Sequence, residues 1–352
     1  MCIKRFFSLA LCIVFSMQMV YSRLVGDVND DGYISLADVT HLVNLVLDNP
    51  EVNYSIYADA NSDGLISIAD VEEIINIILG KSTAEEPGII TIAYTDDGAT
   101  YAMSKAWANH VSISVSDGNV SVTNNNTTDE CTLSLSGSCS DGSFTYTGTY
   151  KTTIVLNGLT LTNTNGAAVN IQCGKRISLE LAEGTENTLA DGGTNSLKGT
   201  LYCKGHLEVS EGGSLTVTGN TKHGINCKEY MLLKKSMGTL TIDGAAGDGI
   251  HVEQYFQMNG GTVSVSGVGS DGIQAELKGD NSEDDGKIII KGGTLNIEVQ
   301  GASSAALKSD STLHIKDGDI TITTTGNRDK ALSSDGNIEV DGGSLDITQS
   351  GG

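Results

Sequence analysis

Asp27, Asn29, Asp31 and Asp38 return 32 residues later as Asp59, Asn61, Asp63 and Asp70. Within each set the oxygen-bearing side chains occupy positions 1, 3, 5 and 12 of a twelve-residue loop. Position 6 is Gly32 or Gly64, where the chain must turn sharply. Position 7, Tyr33 or Leu65, offers its backbone carbonyl, and Ser35 or Ser67 stands at position 9. A hard dication takes six to eight oxygens at roughly 2.3–2.6 Å, and this spacing supplies them to Ca²⁺. Two calcium ions are therefore expected, one for each loop.

The element that holds each loop closed is a helix. Val39, Leu42, Val43, Val46 and Leu47 are repeated as Val71, Ile74, Ile75, Ile78 and Leu79. This i, i+3, i+4, i+7, i+8 stripe predicts one amphipathic helix after each loop. Position 12 is Asp rather than the Glu of an ordinary EF-hand, and no incoming helix precedes the first loop. A calcium loop followed by a single helix, duplicated over about residues 24–81, resembles a type I dockerin. The resemblance implies a docking module whose partner is a cohesin on a scaffold protein. Loop positions 10 and 11 are Leu36-Ala37 and Ile68-Ala69 instead of the Ser/Thr-type pairs of well-known clostridial dockerins. That departure leaves the calcium ligands intact and bears on which partner is bound.

Ahead of the loops, Lys4 and Arg5 precede an apolar run from Ser8 to Val20. The run is short of the ~20 residues that a membrane span requires, so residues 1–22 read as a secretory signal. An exported, extracellular protein is expected, held at a cell surface only through a scaffold, with no membrane span. The formal charge is −23, which excludes nucleic acid and anionic membranes as natural partners. Two of the seven cysteines fall in the signal. The five that remain, Cys131, Cys139, Cys173, Cys203 and Cys227, are an odd number and no disulfide framework.

Beyond a polar linker, residues 82–99, the composition turns to Gly, Ser, Thr, Asn, Val and Ile. A short phrase then recurs at Gly213, Gly238, Gly261, Gly293, Gly318 and Gly343, in steps of 25, 23, 32, 25 and 25 residues. Each phrase is a Gly turn followed by alternating apolar residues, such as Leu215 and Val217 or Leu240 and Ile242. A second strand runs in phase through Leu201/Cys203, Ile225/Cys227, Ile250/Val252, Ile273/Ala275, Leu307/Ser309 and Leu332/Ser334, and Ile171/Cys173 is a candidate earlier member. A third passes through Leu207, Leu313 and Ile338. Three strands in ~25 residues predict a mainly β chain, a right-handed parallel β-helix over residues 100–352. Cys173, Cys203 and Cys227 are expected on one inward ladder. The acidic insertion in the long step, with Asp280, Glu283, Asp284 and Asp285, is expected to be a surface loop, the alternative being a cation site. Without an evident cap after Gly351, the last rung is expected to need a cover.

Residues 154–163, the Gly166-Ala-Ala phrase, residues 179–192 and the Asp-Gly-Ile triplets at 248 and 271 resemble the secreted carbohydrate-binding β-helix family of cellulosome-producing bacteria. The resemblance covers about residues 90–352. It implies a polysaccharide-lyase-like shape, calcium, and non-catalytic binding of cellulose- or pectin-like polymers. Asp248 and Asp271 fall at equivalent places on adjacent turns, with His223 one turn earlier. Stacked ~4.8 Å apart, two carboxylates repel unless something positive lies between them. They are candidates for a further calcium or sugar site, the alternative being simple turn chemistry. Trp107, Tyr202, Tyr230, Tyr255 and Phe256 are the candidate sugar platforms, with ladder packing as the alternative. The leading expectation is a secreted polysaccharide-binding protein tethered by its dockerin. A β-helix pectate lyase with Lys222 or Lys330 as base, and a structural adhesin, are the alternatives.

Overall fold

The computed structural model describes residues 23–48, 55–84, 86–280 and 282–351. The signal-peptide reading of residues 1–22 lies outside them. Two helices, Leu36–Leu47 and Ile68–Ile78, pack together through Leu42, Val71 and Ile74. Each begins with the same device. Ser35 and Ser67 cap the first turn through their hydroxyls, while Asp38 and Asp70 return a bond to the cap's own N–H. This reciprocal capping box satisfies two orphan donors and draws position 12 back over the loop.

Almost everything else is strand. Sixteen strands form one sheet and ten a second. Apart from the hairpins Ile90–Thr95 with Gly98–Ala102 and Val111–Ser116 with Gly118–Asn124, the strand pairing is parallel throughout. The result is a β-solenoid of about 9 turns. From Leu201 onward the expected phases hold residue by residue. Leu215, Leu240, Val263, Leu295, Ile320 and Leu345 form one continuous ladder. Leu207, Met231, Phe256, Ile288, Leu313 and Ile338 form another. Inward members of these ladders fill a continuous core as far as Leu313 and Ile320, while on the last rung Ile338, Val340 and Ile347 are exposed. The acidic insertion is the loop expected there, and within it the buried Asp285 accepts the N–H groups of Lys278 and Gly279 at 2.8 and 2.9 Å.

Two expectations shift. The β structure begins ahead of residue 100, because Ile90–Thr95 already pairs in parallel with Cys131–Cys139. Cys203 and Cys227 are ladder neighbours, but the rung before them contributes Ile171 at that position. Cys173 lies two residues further on, still buried, with its thiol against the Tyr150 carbonyl at 3.2 Å. All five cysteines are buried free thiols, and burial raises the pKa of Cys131 to about 12. Small apolar packing explains them without redox chemistry.

The module at the front is not held by a chain link alone. Ile56, between the two calcium loops, is fully buried in the solenoid's core. Asp129 accepts the Ile56 N–H at 3.0 Å and the Ser55 hydroxyl at 2.8 Å. It also accepts Asn126 Nδ2 and Thr128 Oγ1. Asp129→Ala would strand these donors, and each bond to a charged acceptor is worth about 1.5–3 kcal/mol. Calorimetry should show the Asp129→Ala protein losing about 3 kcal/mol or more, with the front module melting ahead of the solenoid. A single unshifted transition would show that the junction contributes little.

Candidate functional site

The twelve loop residues are brought together as the spacing demands. Gly32 and Gly64 adopt φ of +87° and +88°, the left-handed turn that glycine permits. Asp27 and Asp59 accept the N–H groups of the residues at positions 5 and 6. Position 5 itself, Asp31 and Asp63, is exposed at the mouth of each loop. Asp31 accepts the Tyr33 N–H at 2.9 Å and Asn29 Nδ2 at 3.0 Å, and Asp63 accepts the Leu65 N–H and Asn61 Nδ2 in the same way. These bonds tie positions 3, 5 and 7 into one tight turn. Asp38 and Asp70 are fully buried, and Asp38 Oδ1 receives the Val28 N–H at 2.8 Å. Burial raises the Asp70 carboxyl above its ordinary range, Ser67 and Asn61 N–H groups oppose this, and Asp59 and Asp63 add to it. A buried carboxylate with two more beside it is relieved by a cation, and an all-oxygen set suits a hard one. The residues therefore fit Ca²⁺.

The second site lies on the outer face of the ten-stranded sheet. Period-2 alternation turns the middle residue of each strand outward. Asn170, Tyr202, Asn226, His251, Gln274 and Lys308 thus stand in a row, one to a rung. Beside them runs the edge ladder Gly199, His223, Asp248, Asp271 and Ala305. The middle of both rows, from Asn226 and His223 to Gln274 and Asp271, floors a groove of about 390 Å³. Lys198, Lys222, Lys228, Glu253, Glu276 and Lys308 rim it.

Asp248 and Asp271 are on adjacent turns as expected. Each carboxylate, however, caps the following rung. Asp248 Oδ1 accepts the Asp271 N–H at 3.0 Å, and Asp271 Oδ1 accepts the Ala305 N–H at 2.7 Å. Asp271 Oδ2 also meets Lys308 Nζ at 3.1 Å. The glycine that follows serves close approach instead of a left-handed turn. A Cβ on Gly249 would fall 2.6 Å from Val265 Cγ1 and 2.7 Å from the Gly272 carbonyl.

Of the aromatic candidates, Trp107 is buried beside the first hairpins, and Phe256 points into the core. Tyr230 stacks between His206 and Tyr255, with centroids 4.5 and 4.8 Å away. Only Tyr202 belongs to the outward row. His251, Asn226, Gln274 and Glu276 were not singled out from the sequence. Counting one residue on from Ile225, Ile250 and Ile273 along a period-2 strand finds the first three.

A parallel β-helix carrying a duplicated calcium-loop module and a polar groove is the class this geometry defines. The family model described as carbohydrate-binding domain-containing protein matches residues 116–352, and the chain belongs to that family. The dockerin type I domain, a calcium-binding domain family, matches residues 25–79. A carbohydrate-binding domain-containing protein of Acetivibrio thermocellus is 28% identical over 101 residues, 26% of this chain and 35% of that relative. The match thus spans about a third of the curated relative's length. The solved structure of the polysaccharide lyase-like protein from C. thermocellum, a gadolinium derivative, superimposes with a TM-score of 0.60 at 22% identity, covering 73% of this chain and 100% of that one. At that identity the likeness concerns the fold.

Proposed function

We propose that this chain is a secreted, non-catalytic polysaccharide-binding protein whose dockerin attaches it to a cohesin-bearing scaffold. The observation that carries the first half is the groove. Its row of amide, imidazole and ammonium groups places one polar side chain on each rung, so successive sugars of an extended polymer would each meet one. Lys228 pairs with Glu253 and Lys308 with Asp271, while Lys198 and Lys222 have no carboxylate partner among the described residues. The ammonium groups of Lys198 and Lys222 are the points at which the carboxylates of a uronate polymer of pectin type would be held, with Ca²⁺ bridging to the groove's own carboxylates.

Retention on polygalacturonate and cellulose, with calcium throughout, tests the reading. Wild-type protein should be retained on polygalacturonate. Lys198→Glu with Lys222→Glu should weaken retention about tenfold or more, since exchanging attraction for repulsion at two contacts is worth ~1.4 kcal/mol or more. Equal retention of the double variant would remove the groove from the account. Release of unsaturated uronides absorbing in the ultraviolet would replace the binding reading with a lyase.

The second half is supported by symmetry on the calcium module. Leu36 and Ile68, at the same loop position, are 70% and 71% exposed. Tyr33 and Leu65, and Leu47 and Leu79, repeat the exposure. Duplicated apolar residues held in water on two equivalent faces suit a protein partner. No helix among the described residues is long and apolar enough to cross a membrane.

A further inference from the structure

His223, Asp248 and His251 do more than cap rungs. All three are buried, and one ligand atom from each lies within 4.8 Å of the other two. Asp248 Oδ2 is 3.1 Å from His223 Nδ1 and 3.0 Å from His251 Nδ1. The rings stack with centroids 4.4 Å apart, so both nitrogens approach the same oxygen from neighbouring rungs.

Proton accounting makes this arrangement informative. The backbone N–H of Asp248 is directed at His223 Nδ1 at 3.1 Å, which requires a lone pair on that nitrogen. The same nitrogen faces a carboxylate oxygen. His251 Nε2 in turn faces the Glu276 carboxylate at 3.6 Å. With the proton on Nε2, the lone pair of His251 Nδ1 also faces Asp248 Oδ2. Two ring nitrogens and a carboxylate oxygen, each able to ligate a metal, then face one another within 4.8 Å. A further acceptor stands beside them. Asn226 is 4% exposed and is the ladder neighbour of His251 on the same rung as His223, and its Oδ1 has no hydrogen-bond partner.

We propose that His223, Asp248 and His251 form a binding site for a divalent transition metal of zinc type. Two imidazoles and one carboxylate are a three-ligand set of borderline softness, which suits Zn²⁺ and not Ca²⁺. Glu276 behind His251 supplies the outer carboxylate that orients a ligating imidazole. The groove leaves the fourth position open to water, for which Asn226 Oδ1 is an acceptor. The alternative occupant of the converging point is a proton.

The probe is metal alone, so the outcome is independent of the polysaccharide reading. Full-length protein is stripped of transition metals and saturated with Ca²⁺ to fill the dockerin loops. It is then titrated with Zn²⁺ and, separately, Co²⁺. One Zn²⁺ per chain should bind in the presence of excess Ca²⁺, and Co²⁺ should give visible d–d absorption. His223→Gln with His251→Gln should abolish both, while His206→Gln with His314→Gln should leave them intact. Glu276→Gln, at a half-exposed position, should weaken Zn²⁺ about tenfold. Should the first variant unfold, imidazole NMR of the wild type decides: Zn²⁺ must shift His223 and His251 and spare His41, His110, His206 and His314. Absence of Zn²⁺ binding, retention of it by the folded His223/His251 variant, or perturbation of other histidines would overturn the proposal.

Discussion

Chelating calcium should melt the front module and leave the solenoid standing. Asp38 and Asp70 are fully buried, and each closes a loop with two further carboxylates at ligand positions, Asp27 and Asp31 in the first and Asp59 and Asp63 in the second. Neither helix has a basic residue in its last turn, and both are near the limit at which an isolated helix is marginal in water. What holds the loops shut must therefore come largely from the metal, whose binding energy is folding energy for such modules. The helical circular-dichroism signal should fall on addition of a chelator and return with Ca²⁺, while the β signal and the main thermal transition persist. Asp70→Asn should reduce calcium uptake from two ions to one. Arg23 braces the first loop, bonding the Asp27 carbonyl at 2.8 Å, whereas the second is met by the neutral Asn109, whose Nδ2 donates to the Ser62 carbonyl at 3.5 Å. A helical signal indifferent to chelator would contradict this account.

Phe256→Ala should cost about 3–5 kcal/mol, the usual loss for truncating a buried aromatic. Phe256 is fully buried between Met231 and Ile288 on the adjacent rungs. A solenoid is stabilised largely by nearest-neighbour contacts, so a cavity in one rung weakens its interfaces on both sides. Denaturant unfolding should show a clear fall in midpoint. Gln257→Ala, one residue on and facing outward, should change stability by less than about 0.5 kcal/mol. Equal effects at the two positions would mean that the in–out alternation is misassigned.

The solenoid was legible because its ladders are written at a near-constant step, and a period-2 strand betrays its inward face. The calcium loops were legible because metal ligation fixes residue type at fixed offsets. What escaped was whatever depends on neighbouring rungs. Cys173 looks like a ladder partner of Cys203, yet the turn between those strands is longer by two residues and Ile171 takes the place. The start of the solenoid at Ile90 escaped because antiparallel hairpins there break the repeat. The insertion of Ile56 into the core, and the convergence of His223 and His251 on Asp248, arise from three-dimensional placement that no local pattern encodes.

The central claim is that the outward row of the ten-stranded sheet holds a polysaccharide. A crystal structure of the calcium-loaded chain soaked with oligogalacturonate tests it most directly. Density for sugar along Tyr202, Asn226, His251, Gln274 and Lys308, with Lys198 and Lys222 on its carboxylates, is the predicted result. Sugar bound on another face, or an empty groove at saturating ligand, would contradict it.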